Sequence, residues 1–256
     1  MNNNSSISAE GSHFINKLRE VVKNLPPAYF AMVMSTGIIS ISHFMLKVHI
    51  VAHILFWLNI VFYILLGILN ILRILFYRKD FLYDMIDHQK GPGFFTIVAG
   101  SCILGSQFII IYNDYSFAFA LWIIGIILWV IFNYTIFTAL TVKENKPSLD
   151  QGITGAWLLA VVATQSIAAL STLIAAHLEQ PYKLQMNFLA LCMWMWGGML
   201  YIWMISLIFY RYTFFKLFPG DLSPPYWINM GAMAISTLAG SLLISSTHHA
   251  PFLESL

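Results

Sequence analysis

The stretch Pro26-Pro27-Ala28-Tyr29-Phe30-Ala31-Met32-Val33-Met34-Ser35-Thr36-Gly37 opens an apolar run that continues to residue 46 without Lys, Arg, Asp or Glu. A proline pair favours the first turn of a helix, where a missing backbone N–H leaves no bond unmade. The small and hydroxyl side chains that follow suit close helix packing or a wet lumen better than lipid. A related element, Pro224-Pro225-Tyr226-Trp227 followed by residues 232–237, comes near the other end of the chain. The sequence therefore predicts repeated copies of one element arranged in a ring.

The composition places the chain in a membrane. Of its 256 residues, 59% are hydrophobic and only 9% are charged, whereas a soluble domain has about 25% charged residues. Seven apolar runs are each long enough to cross about 30 Å of hydrocarbon. They are continuous and not alternating, which excludes a β-barrel. We therefore expect an all-α integral membrane protein with transmembrane helices near residues 28–46, 51–75, 94–112, 117–141, 153–178, 184–210 and 226–246.

The distribution of Lys and Arg predicts the orientation. Most of these residues lie on one side of the membrane: they precede the first span, or they lie in or beside the connections that join spans two and three, four and five, and six and seven. Only Lys47 and Lys183 lie on the opposite side. Cytoplasmic loops have an excess of basic residues, so we expect a cytoplasmic N-terminus in the cell (inner) membrane. Residues 1–25 form a cytoplasmic segment, either an interfacial helix or a polar tail, residues 26–247 a transmembrane pore domain, and residues 248–256 an external tail.

The odd and even spans differ in composition. As a group, the odd spans are richer in Ser, Thr, Asn and Gln, and the even spans are richer in Phe, Trp and Tyr. Polar groups that face lipid cost free energy, whereas aromatic side chains are comfortable there. The odd spans also share Pro- or Gly-containing openings. We therefore predict helical hairpins with the odd helices in an inner ring and the even helices in an outer ring.

The chemistry of the spans favours the passage of anions. No acidic or basic side chain lies deep inside any span, since Arg73 is at a helix end, and the ionisable relay of many proton- or cation-coupled carriers is therefore missing. A pathway of hydroxyls, amides and helix dipoles suits a hydrated anion, although each hydroxyl could instead bond its own helix carbonyl or a neighbouring helix. The predicted pore-lining residues are Ser35, Thr36, Gly37, Thr96, Gly100, Ser101, Ser106, Gln107, Thr164, Gln165, Asn229, Ser236 and Thr237.

Other classes of function find little support. The histidines near span ends lack the spacing and carboxylate partners of a metal site. Cys102 and Cys192 lie inside apolar spans, where we expect them to be small apolar helix side chains and not a disulfide or metal pair. Residues 226–246 contain no lysine for a retinal Schiff base, and no nucleophilic serine motif of a protease is present. We expect no enzyme activity, no cofactor, no metal and no nucleic-acid partner, and we expect contact with membrane lipid and small anions.

Four segments in order resemble the tellurite-resistance/C4-dicarboxylate transporter family, which includes malic acid transport proteins, sulfite exporters and slow-type anion channels. They are Pro-Ala-Tyr-Phe-Ala-Met-Val-Met-Ser-Thr-Gly at 27–37, Gly-Pro-Gly-Phe-Phe-Thr at 91–96 with Gly100 and Leu-Gly-Ser at 104–106, Gly-Ala-Trp-Leu at 155–158 with Val-Ala-Thr-Gln at 162–165, and Pro-Pro-Tyr-Trp-Ile-Asn-Met-Gly-Ala at 224–232. The similarity covers about residues 25–246.

This resemblance implies five hairpins, or ten helices, around a central pore, often in a homotrimer. It implies a channel or transporter for C4-dicarboxylates such as malate, or alternatively for sulfite or tellurite-related species. The family's gating phenylalanine lies on a ninth helix, so we assign it to no residue of this seven-span chain. From the seven spans we also expect either a truncated, non-transporting paralogue or a ring that is closed by another subunit.

Overall fold

The structure is a computed structural model that describes residues 16–17, 19–216, 218–221, 223–246 and 252. Seven of the helices in this part are long and apolar enough to cross a membrane, which confirms the predicted all-α membrane fold. We number them α1 (Pro27–Met45), α2 (His49–Phe76), α3 (Gly91–Tyr112), α4 (Tyr115–Val142), α5 (Gly155–Ala175), α6 (Tyr182–Phe214) and α7 (Pro224–Ser245).

Both predicted terminal segments are largely outside the described residues. Residues 1–15 and, apart from Phe252, residues 247–256 belong to the undescribed part. Residues 19–23 are helical, and the side chains of Val22 and Leu25 are buried against the protein. Whether this segment also contacts the membrane surface stays a prediction.

Each odd helix opens with one 3-10 turn before it becomes α-helical. These turns are Pro27–Phe30, Gly91–Phe94, Gly155–Leu158 and Pro224–Trp227. Three of them have proline at one of the first two positions, where its fixed φ suits a helix start. The turn of α5 instead follows Thr154, whose hydroxyl accepts a bond from the Ala156 N–H. The repeated element of the sequence is thus a repeated helix start, and we call the end of the bundle that contains these starts the basal end.

Short connections at the opposite end join the helices into the hairpins α1–α2, α3–α4 and α5–α6. Lys47 and Asn113 have positive φ values of 63° and 55° in the first two connections. Such a conformation ends a helix and reverses the chain. Asp114 then caps α4 by accepting bonds from the N–H groups of Ser116 and Phe117, at 3.0 and 3.2 Å.

The hairpins form two layers. The odd helices pack in the order α1, α3, α5, α7, and α2, α4 and α6 each cover the preceding odd helix from outside. The burial reflects this division, since 83% of the most apolar 18-residue segment of α3 and 94% of that of α5 are buried in the protein, against 22–28% of the corresponding segments of the even helices. The predicted inner and outer layers are therefore present, with α3 and α5 at the centre.

Helices α1 and α7 stand at the two ends of this arc. Each packs against its outer-layer neighbour and against one inner neighbour, α3 or α5, and only 22% of the most apolar 18-residue segment of either helix is buried. Their outward faces include exposed side chains of both kinds, for example Ile38 and Ser35 on α1, and Leu238 and Thr237 on α7.

Close backbone contacts hold the basal end together. An added Cβ at Gly93 of α3 would lie 3.1 Å from the Ala28 nitrogen at the start of α1. An added Cβ at Gly155 of α5 would lie 2.6 Å from the Tyr226 Cα at the start of α7. Neighbouring helix starts approach each other so closely only because these positions are glycine. These two contacts fix the spacing between α1 and α3 and between α5 and α7 at the basal end.

Candidate anion pathway

Two predicted residues of α3 face the outer helix α2. Asn59 Nδ2 donates to Gln107 Oε1 at 2.6 Å, and the hydroxyls of Tyr63 and Ser101 are 3.0 Å apart. Asn59, Ser101 and Gln107 are fully buried. Gly37 of α1 leaves room for this amide pair, since an added Cβ there would lie 3.1 Å from Gln107 Oε1. These polar groups therefore join α2 to α3 and pack against Gly37 of α1.

A second polar contact joins α5 to α4. Trp129 Nε1 donates to Thr164 Oγ1, and Trp122 Nε1 donates to Ser171 Oγ, both at 2.8 Å. The two tryptophans are seven residues apart, and so are the two hydroxyls, so two turns of each helix are in register. Each indole N–H, which would be costly to leave unpaired in hydrocarbon, thus has an acceptor on the inner helix.

Gln165 of α5 faces the third outer helix, α6. Its Nε2 donates to the Trp194 carbonyl at 3.1 Å, and its side chain fills the space left by Gly197. Its Oε1 is buried and has no hydrogen-bond partner among the described residues. Gln165 therefore lies on the side of α5 that contacts α6.

The other predicted residues have mostly local contacts. Thr96 donates to the Pro27 and Gly93 carbonyls, and Gly100 lies against Phe30 and Val33. Asn229 accepts from the Tyr201 hydroxyl at 2.9 Å. Thr36 is half-buried, and the remaining hydroxyls bond carbonyls of their own helices: Ser35, Ser106, Ser236 and Thr237. No side-chain hydrogen bond of the described residues joins two members of the predicted set, so their pore-lining role stays a prediction.

The inner helices meet through apolar side chains. Ala99 and Ile103 of α3, Val162 of α5 and Ile235 of α7 belong to one buried cluster, against which Met34 of α1 packs. Residues 103 and 106, and likewise 162 and 166, share helix faces. Ser106 and Ser166 therefore lie one turn beyond the apolar cluster, and both are buried and bonded to a carbonyl of their own helix. Sequence reasoning missed Ile103, Val162 and Ser166, although their spacing of three or four residues places them on one face of each helix.

The basal end carries two ion pairs with buried arginines that sequence reasoning also missed. Arg73 contacts Asp84, and Arg211 Nη2 lies 3.6 Å from Asp221 Oδ1. Both arginines lie in the last turn of an outer helix, and both aspartates precede the start of the next inner helix. The signal in the sequence was an Arg followed ten or eleven residues later by an Asp just before an opening turn.

One histidine at the basal end has a shifted titration. Burial, with a smaller contribution from the positive charge of Lys143, lowers the pKa of His88 below its ordinary value. Its Nδ1 is buried and has no hydrogen-bond partner among the described residues, while its backbone carbonyl accepts from Trp157 Nε1 at 3.0 Å. In the part of the chain that the structure describes, no three His, Cys, Asp or Glu side chains are grouped closely enough to hold a metal ion.

Seven spans of membrane length, with central helices that carry no charged side chain and a polar cavity at the basal end, define a protein of the channel and transporter class. Comparison with known families gives the particular one. Residues 24–254 match the family model described as voltage-dependent anion channel (SLAC1). The chain belongs to this family, which confirms the resemblance seen in the sequence.

Individual relatives have identities of 24–29% to this chain. The chain is 25% identical over 240 residues to the uncharacterized transporter MJ0576 of Methanocaldococcus jannaschii, which covers 91% of this chain and 67% of that protein. It is 24% identical over 241 residues to transporter MJ0762 of the same organism, with 92% and 69% covered. It is 29% identical over 216 residues to the sulfite efflux pump SSU1 of Arthroderma benhamiae, with 77% of this chain and 56% of the pump covered.

Proposed function

We propose that this protein passes small anions across the membrane between its inner helices. The observation that carries the proposal is that α1, α3, α5 and α7 contain no Asp, Glu, Lys or Arg along their whole length. A carboxylate near the path would repel an anion, and a fixed Lys or Arg would hold it too tightly for passage. Membership of an anion-channel family supports the same function. The chain thus acts as a transporter and not as an enzyme.

The conduction path in this proposal runs along the faces that the inner helices turn toward one another. Ile103 and Val162 form its apolar constriction, and the hydroxyls of Ser106 and Ser166 lie one turn beyond it. A narrow apolar segment excludes water and so blocks ions until it widens. In this arrangement the structure corresponds to a closed state. The other predicted lining residues contribute by fixing the positions of α3 and α5.

Two substrate classes are candidates. The sequence resemblance implies C4-dicarboxylates such as malate. Sulfite is the second candidate, and it is favoured by the similarity of this chain to sulfite efflux pumps, at 28–29% identity. Both are small oxyanions that accept several hydrogen bonds, so the Ser106 and Ser166 hydroxyls can serve either once they turn from the carbonyls of their own helices to the anion. We further propose a cytoplasmic N-terminus in the cell inner membrane, from the Lys and Arg distribution, and a homotrimer, from the resemblance.

Flux into liposomes tests the proposal. The purified protein is reconstituted, and uptake of malate, sulfite and chloride is compared with protein-free vesicles. The variant Ile103→Ala widens the constriction and is expected to raise anion flux. Ile64→Ala is the matched control, because Ile64 is a 54% exposed residue of the outer helix α2.

The comparison of anions decides the substrate class. Faster uptake of malate than of sulfite supports the dicarboxylate, and the reverse order supports sulfite. If folded wild type and Ile103→Ala both give only the protein-free rate for every anion, the proposal is wrong and a non-transporting membrane protein is the better description.

A further inference from the structure

Arg73 and Arg211 occupy equivalent places in two of the hairpins. Each lies in the last turn of an outer helix, α2 or α6, at the basal end. Each arginine side chain is at least 90% buried and faces an aspartate of the segment that leads into the next inner helix; Asp84 lies in the short helix Arg78–Met85 and Asp221 in the turn Pro219–Asp221. A buried arginine is costly unless it is paired, so both arginines need a partner. The two are paired to different degrees, and this difference distinguishes a structural site at Arg73 from a binding site at Arg211.

The Arg73 site is tightly paired, although Arg73 Nη1 is buried and has no hydrogen-bond partner among the described residues. Its guanidinium donates to Asp84, and its Nε donates to the Lys23 carbonyl at 3.1 Å. The other Asp84 oxygen accepts from Lys90 Nζ at 2.8 Å. A cavity of about 270 Å³ borders this site, but the carboxylate is held by two cations. Exchanging Asp84 for a free anion would break several good hydrogen bonds at once.

The Arg211 site is loosely held by comparison. The nearest carboxylate oxygen, Asp221 Oδ1, is 3.6 Å from Nη2, which is beyond hydrogen-bond distance. Its other contact is with the ring of Tyr226, whose centre lies 5.7 Å from Cζ. The hydroxyl of the same Tyr226 is buried and has no hydrogen-bond partner among the described residues. Within the described residues, the site therefore holds a buried arginine whose guanidinium makes no hydrogen bond, next to a buried tyrosine hydroxyl without a partner.

A cavity of about 530 Å³, larger than that beside Arg73, opens onto Arg211. Its lining includes a second cation, Lys216, and the polar side chains of Gln151 and Ser223. The carboxylates of Asp150 and Asp221 balance the two cations. A small oxyanion with its hydration water fits this volume, and amide and hydroxyl donors suit its oxygen atoms.

We propose that Arg211 binds a carboxylate or oxyanion of a small free anion at the basal mouth of the protein, in exchange for Asp221. This site deepens the anion transport proposed above and gives it a capture step. A guanidinium binds a carboxylate or a tetrahedral oxyanion through two parallel hydrogen bonds, which Asp221 does not provide at 3.6 Å. When the anion leaves for the constriction, Asp221 again neutralises the buried cation.

Protection from alkylation measures this binding without any transport. In a Cys192→Ser background, which removes the exposed native thiol, Ser223→Cys places a thiol in the cavity wall. The full-length protein in detergent is labelled with N-ethylmaleimide while malate or sulfate is added. An anion at ten times its dissociation constant occupies about nine-tenths of the sites, so labelling is expected to slow by about tenfold.

Variants of the pair make the test specific. Arg211→Gln is expected to abolish protection, and Arg78→Gln is the control because Arg78 is exposed near the same end. Asp221→Asn removes the competing carboxylate and is expected to shift protection to anion concentrations about threefold to tenfold lower. This variant keeps the test valid even if Arg211→Gln does not fold.

The outcomes separate the two proposals. Protection that persists in folded Arg211→Gln, or that weakens in Asp221→Asn, overturns the capture site. Absence of protection in a protein that conducts anions in liposomes also overturns it, while transport stands. Protection that depends on Arg211 in a protein without flux supports the site and overturns the transport function.

Discussion

Replacing Gly155 with alanine tests the close packing of the helix starts. The new Cβ would lie 2.6 Å from the Tyr226 Cα and from the Pro225 carbonyl carbon, and nearer still to the Pro225 oxygen. Real Cβ atoms essentially never come closer than 3.0 Å to such atoms. All three neighbours are backbone atoms of the α7 opening turn, so no side-chain rotation relieves the contact. Since the Pro225 oxygen would lie only 2.3 Å away, the starts of α5 and α7 must separate by at least about 0.7 Å to reach 3.0 Å.

The expected cost follows from this geometry. Overpacking of a well-packed site typically costs about 1–3 kcal/mol, and for a domain of this size each kcal/mol lowers the melting temperature by roughly 2–4 °C. Gly231→Ala is the matched control on α7, since an added Cβ there has no atom within 4 Å. Because alanine is the better helix former, we expect this control to be neutral or stabilising by up to about 1 kcal/mol.

Thermal unfolding of the purified proteins in one detergent, followed by circular dichroism, measures both variants. The prediction requires Gly155→Ala to melt several degrees below Gly231→Ala. Equal melting temperatures for the two variants, with wild-type helical content, would refute the close approach of α5 and α7 at the basal end.

Three further predictions concern single contacts. Trp129→Phe removes the bond to Thr164, and a double-mutant cycle with Thr164→Val is expected to give a coupling of about 0.6 kcal/mol and at most about 1.7; zero coupling would contradict the contact. Arg73→Gln leaves the Asp84 carboxylate without its buried partner, so we expect a loss of about 3–5 kcal/mol in the free energy of unfolding, measured by denaturant titration. Because the pKa of His88 is lowered in the folded protein, the unfolded chain binds a proton at this residue more readily than the folded chain does. His88 therefore does not change the free energy of unfolding above its unfolded pKa of about 6.5, and it lowers that free energy as the pH falls below this value. Melting temperatures between pH 7 and 5 are expected to fall more steeply in wild type than in His88→Gln, and parallel curves would exclude the effect.

The sequence was sufficient to place the spans. The predicted run 28–46 and the helix Pro27–Met45 differ by one residue at each end, and the predicted run 184–210 lies inside Tyr182–Phe214. Continuous apolar runs of this length have few alternatives in a membrane, because every backbone group must be bonded within the segment. The prolines and glycines before the odd spans likewise identified the helix starts that recur at the basal end.

The direction of each polar side chain could not be predicted in the same way. Counting hydroxyls and amides per span says which helices are polar, but not which face of the helix bears the polar group. Ser101 and Gln107 of α3 bond Tyr63 and Asn59 of α2. Such contacts depend on the rotation of one helix against another, and packing across the whole bundle sets that rotation.

The contacts also give the odd–even difference in composition a second cause. Tryptophans on the outer helices bring indole N–H groups into a region where water cannot satisfy them. Thr164, Ser171 and the Ser236 carbonyl are the acceptors for Trp129, Trp122 and Trp194. Part of the hydroxyl content of the inner helices therefore serves these contacts, whether or not a lumen exists. It follows that the hydroxyl content of the inner helices does not measure how wet their shared centre is, and that the apolar face at Ile103 and Val162 is where a conduction test must be made.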